Sequence, residues 1–260
     1  ADDVIEIIVY DAFSAANFYS RTDSDSRFVR HDSATAGTDN FIAGNNAGDA
    51  ITSGGNQNTL VGNEAGTSIT TGDDNTAVGY GAADALTTGI RNTAVGTNAL
   101  GVEVAGNYTT AIGEGALASQ TNGSSTDVYN TAVGYQAGVS VTTGASNTLI
   151  GALAGDAITT STNNVAVGTS ALTTNILSAK NVALGVNALK THNQGSSTES
   201  FNVAVGHNAG ESLTTGTNNT FIGGEAGAKA TTSSHNVAIG YGSFGGVDAS
   251  SANNGEQNTC

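Results

Sequence analysis

The stretch NTAVGYGAADALTTGIRNTAVG, residues 75–96, holds the same five residues twice, at Asn75–Gly79 and Asn92–Gly96, 17 positions apart. The pattern runs along nearly the whole chain. Anchored on the glycine that follows a small or aliphatic residue, its copies fall at Gly44, Gly62, Gly79, Gly96, Gly113, Gly134, Gly151, Gly168, Gly185, Gly206, Gly223 and Gly240. The spacings are 18, 17, 17, 17, 21, 17, 17, 17, 21, 17 and 17, and Asn258-Thr259 opens a further copy. A short fixed period sustained over such a length describes stacked units and overrides any local propensity.

One repeat is too short for a strand–helix–strand crossover, which needs about 30 residues. It suffices for two strands of about five residues joined by tight turns. Stacking such turns ~4.8 Å apart gives an all-β fold, a parallel β-solenoid or β-roll of about twelve coils. The chain divides accordingly into an N-terminal cap or attachment segment, 1–39, and a solenoid shaft, 40–260.

The columns of the repeat suggest which way each residue points. Just before the anchor stand Val61, Val78, Val95, Ile112, Val133, Ile150, Val167, Leu184, Val205, Ile222 and Ile239, and two residues earlier a Thr or Val. Residues two apart share a face of a strand, and this aliphatic face is expected inside the coil. Between them lies a smaller column: Ala77, Ala94, Ala111, Ala132, Ala166, Ala183, Ala204 and Ala238, with Ile42, Leu60, Leu149 and Phe221 in the remaining coils. None of these is polar, and a strand apolar on both faces is normally covered on both. The alanine column is therefore expected to face sister chains.

Four residues before the anchor stand Asn75, Asn92, Asn130, Asn147, Asn164, Asn181, Asn202, Asn219 and Asn236, preceded by Asn40 and Asn58, with Thr109 the exception. Stacked asparagines can form a hydrogen-bonded ladder from coil to coil; the plainer alternative is that Asn merely tolerates a turn. Three after the anchor the residue is Ala in every coil but the last, where it is Ser243. The next position alternates between Gly or Ala and Leu. Where Leu occupies it (Leu100, Leu117, Leu172, Leu189), the residue three further on is polar (Glu103, Gln120, Asn175, His192). Where Gly occupies it, that residue is aliphatic or small. Two sites compete for one close-packed interior volume.

The two longer coils carry similar inserts, SQTNGSSTDVY (119–129) and HNQGSSTESF (192–201), and VDASSANNGEQ (247–257) follows the last anchor. Such Gly/Ser/Asn runs read as projecting loops. Tyr129 and Phe201 close the first two and read as aromatic plugs, while Tyr80, Tyr135, Tyr241 and His207 follow their anchors and are expected at the surface. His192 and His235 are expected to face solvent. In the N-terminal segment, residues 3–13 read as a strand, and 20–30 as the start of a short helix capped by Ser20. Arg21, Arg27 and Arg30 there could meet an acidic partner, or simply make surface ion pairs on a cap.

Composition bounds function. The net charge is −15, from 22 acidic and seven basic residues. The acidity is spread along the chain, which argues against nucleic acid and anionic lipid as partners. Cys260 is the only cysteine, so no intramolecular disulfide forms. No apolar run reaches the ~18 residues of a membrane span, and no signal peptide is visible. No nucleophile elbow, phosphate loop, calcium repeat or metal-ligand spacing occurs. Asp73-Asp74 and the Asp23/Asp25 pair are turn or cap carboxylates, not a glycosidase pair. The expectation is no enzyme activity, no cofactor and no metal.

The stretch NTAVGYQAGVSVTTGASNTLIG (130–151) resembles repeats of bacteriophage tail-fibre proteins, and FYSRTDSDSRFV (18–29) is loosely similar to a segment near the start of many such fibres. Arg21, Asp23 and Ser26 depart from that segment's usual Lys, Glu and Ala. The Asn-x-Ala-Val/Ile-Gly core is also similar to the head repeats of trimeric autotransporter adhesins of the YadA type. The resemblance implies a β-roll assembled as a homotrimer, virion or extracellular in location. It implies a fibre shaft joined to a virion tail through its N-terminal segment and reaching a host-surface glycan or protein. Two alternatives stand beside it. One is a non-viral extracellular filament. The other is an ice-binding or other ligand-binding solenoid using threonine pairs such as Thr87-Thr88, Thr142-Thr143 and Thr214-Thr215, an array interrupted at Val104-Ala105 and Thr121-Asn122.

Overall fold

The computed structural model describes residues 29–30, 37–52 and 54–244. Residues 3–13, most of 20–30, the segment from 247 and Cys260 lie outside them. Among the described residues every regular element is β. Thirteen strands form one sheet, and the twelve from Phe41–Ala43 to Val237–Ile239 all pair parallel and in register with their neighbours. Thr76 pairs with Thr93, Ala77 with Ala94 and Val78 with Val95, and the same register recurs at every step. The one antiparallel pair lies at the start, where Val29–Arg30 covers the edge of Phe41–Ala43.

The strands are shorter than the repeat suggested, three residues each. The reason lies in the backbone. The residue before the asparagine position has φ between 51° and 62° in every coil, and the anchor glycine lies between 117° and 138°. Of the four residues between them, the asparagine turns inward and the last three form the strand. The opposite side of each coil is mostly turns, joined to its neighbour by main-chain bonds such as Thr70 N to Thr87 O, 2.9 Å. Two further short parallel pairs form, Gly106–Asn107 with Thr126–Asp127 and Ser178–Ala179 with Thr198–Glu199. Each joins a loop-bearing coil to the coil before it.

The anchor glycine recurs for two reasons. Its φ is closed to other residues. A Cβ on Gly79 would also sit 2.7 Å from the carbonyl oxygen of Gly96, and the same collision repeats from anchor to anchor. The anchors thus stack backbone on backbone along the shaft.

The interior is filled from three columns. The middle residue of each strand, the alanine three after the anchor, and the next residue or its partner three further on are buried. The large middle residues Leu60, Leu149 and Phe221 each lie between two glycines four after the anchor, one in their own coil and one in the coil before. A Cβ on Gly138 would lie 2.6 Å from Leu149 Cδ1, and one on Gly155 2.7 Å from Leu149 Cδ2. A Cβ on Gly227 would strike the Phe221 ring at 2.7 Å. Where the middle residues of a coil and of the next are both alanine, the position is filled instead, by Ala83 or by a leucine with φ near +50° (Leu100 54°, Leu117 49°, Leu189 49°). That conformation costs a leucine ~1–3 kcal/mol, and full burial of its side chain returns ~1.5–3 kcal/mol. The exchange is nearly neutral, which is why the chain uses both solutions.

This compensation is measurable. Leu149→Ala should destabilise by about 2–4 kcal/mol through the cavity it opens. Gly155→Leu alone overpacks and should also destabilise. The double variant copies the Ala166/Leu172 arrangement and should lose about 1–3 kcal/mol less than the sum, by denaturant titration.

Candidate functional site

The outer surface of the main sheet reverses the expected sidedness. The alanine column, Ala77, Ala94, Ala111, Ala132, Ala166, Ala183, Ala204 and Ala238, is fully buried in its own coil and faces no sister chain. The Thr/Val and Val/Ile columns on either side of it point outward. They are half-buried or exposed, with Ile112 at 37%, Ile150 at 38% and Ile239 at 60%. The physical reason is volume. The middle strand residue faces the leucine or aliphatic group of the opposite wall, and a coil of 17 residues has no room for two large layers.

The result is a straight outer stripe of Thr/Val and Val/Ile/Leu running along the parallel sheet, with no ionisable residue in either column. Tyr80, Tyr135 and Tyr241 follow their anchors and are exposed, as is His207. Tyr129 and Phe201 are exposed rather than plugging their loops. They belong to a surface column one residue before the asparagines. Asp74 pairs with Arg91 at 3.5 Å, and Arg91 Nη1 donates to Tyr108 Oη at 2.7 Å. Tyr108 stacks on Tyr129 at 5.3 Å. Farther along, Lys180 pairs with Glu199 at 2.6 Å and lies 5.2 Å from the Phe201 ring.

The asparagine column forms a ladder. Asn75 N donates to Asn58 Oδ1 at 3.0 Å and Asn92 N to Asn75 Oδ1 at 2.9 Å. Asn147 N donates to Asn130 Oδ1, Asn164 to Asn147, Asn181 to Asn164, Asn202 to Asn181, Asn219 to Asn202 and Asn236 to Asn219, between 2.9 and 3.2 Å. In most coils Nδ2 also clasps the coil shut. Asn75 Nδ2 donates to Gly89 O, Asn92 Nδ2 to Gly106 O and Asn219 Nδ2 to Ser233 O, each 14 residues on. The ladder is interrupted once, after Thr109, where Gln120 bridges instead: Nε2 donates to Thr109 Oγ1 and Oε1 accepts from Asn130 Nδ2.

Four polar residues that sequence reasoning left outside the core lie fully within it: Glu103, Gln120, Asn175 and His192. Each fills the place of an aliphatic residue in other coils. The two loop-bearing coils and the coils before them turn main-chain N–H groups inward, and these need acceptors. Glu103 Oε1 accepts from Val104, Ala105, Gly106 and Asn122 N, and its Oε2 from Gln120 Nε2 and Asn122 Nδ2. Asn175 Oδ1 accepts from Ser178 N, and its Nδ2 donates to Ser178 O. The signal was present in the sequence: polar residues in an otherwise aliphatic column, only beside the inserts. His192, expected in solvent, is buried, and burial pushes its pKa down to about 4, against a weaker pull from the Thr214 main chain. His235 is exposed as expected.

The first threonine of each threonine pair spends its hydroxyl along the stack. Thr70 Oγ1 donates to Thr87 O, Thr142 Oγ1 to Thr159 O and Thr214 Oγ1 to Thr231 O. Among the described residues no cluster of three or more His, Cys, Asp or Glu is placed to hold a metal ion. No helix among them is long and apolar enough to cross a membrane. No protein-family model, no curated protein and no solved structure matches the chain.

The ladder predicts a cost. Asn164→Ala leaves the buried Asn181 main-chain N–H without its acceptor and removes the amide that meets Asn147 Oδ1 and Ser161 Oγ. It should destabilise by about 2–4 kcal/mol, whereas Asn163→Ala, one residue away and exposed, should cost under about 1 kcal/mol by thermal or denaturant unfolding.

Proposed function

We propose that the protein is a structural fibre or adhesin, the shaft of a bacteriophage tail fibre that spans to and contacts the host surface from a virion or extracellular location. The observation that carries this reading is the outer Thr/Val and Val/Ile stripe, an unbroken uncharged strip with an aliphatic column on an otherwise acidic chain. A parallel sheet is normally covered on both faces, and here the inner face alone is covered by the chain itself. The occupant that fits the outer face best is a second copy of the same chain. Its rungs repeat at the same ~4.8 Å, and its stripe presents the same residues at the same intervals. Closed assembly of three such stripes around an axis would bury all of them and leave the loops and the tyrosines outward. The mechanism of such a shaft is mechanical: in-register main-chain bonds and the buried ladder resist bending and proteolysis along a rod of roughly 55 Å.

An ice-binding surface is less well supported, because the first hydroxyl of each threonine pair is committed to the neighbouring coil's carbonyl.

Native mass measurement tests the assembly. The chain should run as a trimer of about 77 kDa, three times its 25.6 kDa, and should resist dissociation in SDS at room temperature. Replacing Val133, Ile150 and Val167 together with Asp should give a monomer that keeps its β circular dichroism. A wild-type chain that remains monomeric at micromolar concentration overturns the reading.

A further inference from the structure

The coil that bears the second loop holds the only fully buried histidine among the described residues. His192 stands where other coils place Ile69, Ile158 or Leu213, and its Nε2 lies 3.4 Å from Nδ2 of the ladder residue Asn202. The orientation of that amide is fixed by its other bonds. Asn202 Oδ1 accepts from Asn219 N and from Asn219 Nδ2, both at 3.0 Å, and Nδ2 donates to Gly216 O at 2.8 Å. Turning the amide over would set oxygen against the Gly216 carbonyl and lose both bonds from Asn219. Asn202 therefore presents a hydrogen to His192, and Nε2 must accept it. The ring is neutral, with its proton on Nδ1, which makes no full hydrogen bond and has only the Thr214 main chain for a polar neighbour.

A second proton has no place to go. On Nε2 it would face the hydrogens of Asn202, donor against donor. In the same interior column the neighbouring coils offer Asn175 and Leu213, neither of which ionises. The charged groups of the flanking coils pair with each other at the surface: Lys190 with Glu211 at 3.9 Å, and Lys180 with Glu199 at 2.6 Å. None contacts the ring. A buried imidazolium would thus be unpaired, and an unpaired buried charge is among the costliest groups a fold can hold.

We propose that His192 is an acid-released latch for the second loop. While neutral, the ring fills the interior of the coil against Asn202 Nδ2. Once protonated it leaves the interior and residues 193–197, which lie next to it in the chain, come free, while the asparagine ladder and the main sheet on either side stay wound. The near end of the loop has few other ties, Asn193 N to Thr214 O, Gln194 N to Ser178 Oγ and Gln194 Nε2 to Thr215 O, whereas its far end is held by the pairing of Thr198–Glu199 with Ser178–Ala179, the Lys180–Glu199 ion pair, Ser200 N to Ala179 O and Asn218 N to Ser200 O. The first loop has no such latch, because the matching place is held by Gln120, which offers a donor and an acceptor without a charge. The inference concerns the interior of one chain and stands whether or not chains assemble.

The direction follows from linkage. The folded ring titrates below its ordinary value, so the open state binds more protons once the pH falls below the unfolded pKa. The latch is fully closed above pH ~6.5, weakens as the pH falls toward 4, and levels off below that. Between pH 7 and pH 4 the opening constant should rise on the order of 100-fold.

Hydrogen exchange on the full chain, corrected for the intrinsic effect of pH, reads this directly. Peptides covering 193–197 should lose protection between pH 7 and pH 4 in the wild type and keep it in His192→Gln, which copies Gln120. The C2 proton of His192 should titrate near pH 4, well below the ordinary histidine value of 6.5; this measurement carries the test if the variant fails to fold. A His192 that titrates at the ordinary histidine value overturns the proposal. So does loss of protection with the same pH midpoint in His192→Gln, or a low titration point with no loss of protection at 193–197.

Discussion

Closing a short coil of backbone around almost no interior is the constraint on which this structure depends, and the buried asparagine meets it. A turn of 17 residues leaves main-chain groups facing inward that a thin apolar core cannot satisfy. One side chain, placed just before each strand, answers two needs. In most coils its Nδ2 ties the coil to a carbonyl 14 residues on, and its Oδ1 accepts the main-chain N–H of the next asparagine. The first bond fixes the circumference of a coil and the second fixes the pitch between coils. The anchor glycines follow from the same demand, because neighbouring carbonyls stack where any Cβ would stand.

The interior then obeys a local rule of volume. Two successive alanines at the middle of neighbouring strands leave room for a leucine opposite, as at Leu100 or Leu172, and Leu149 or Phe221 at that place goes with glycines in its own coil and the coil before. The rule lets the sequence vary without changing the outline of the rod. It also explains why polar residues enter only at the loops. Glu103 receives six donors that the first loop and its neighbouring coil turn inward, and Gln120, Asn175 and His192 serve the same purpose with fewer. The loops are therefore anchored in the core instead of hanging from it, and each is anchored by different chemistry.

The outer face carries the observation on which the proposed assembly rests. A long, uncharged and half-buried stripe stands on a chain of net charge −15. The surface column of Asp74, Arg91, Tyr108 and Tyr129 shows how the chain treats faces meant for water: opposite charges and ring stacks join one coil to the next. The stripe has nothing of that kind.

By itself the sequence determined the period, the number of coils, the parallel register, the asparagine column and the places where loops leave the shaft. All of these follow from the spacing of one short motif, since identical units can bury their backbone only against one another. Tertiary structure alone decided which face of the strand is inside. Alternation tells that two faces exist, not which one is covered, and the rule that larger aliphatic residues go inward fails when the interior is one side chain deep. The same holds for Glu103 and His192. Their burial rests on where neighbouring coils turn their N–H groups, and that is settled only when the coils are stacked.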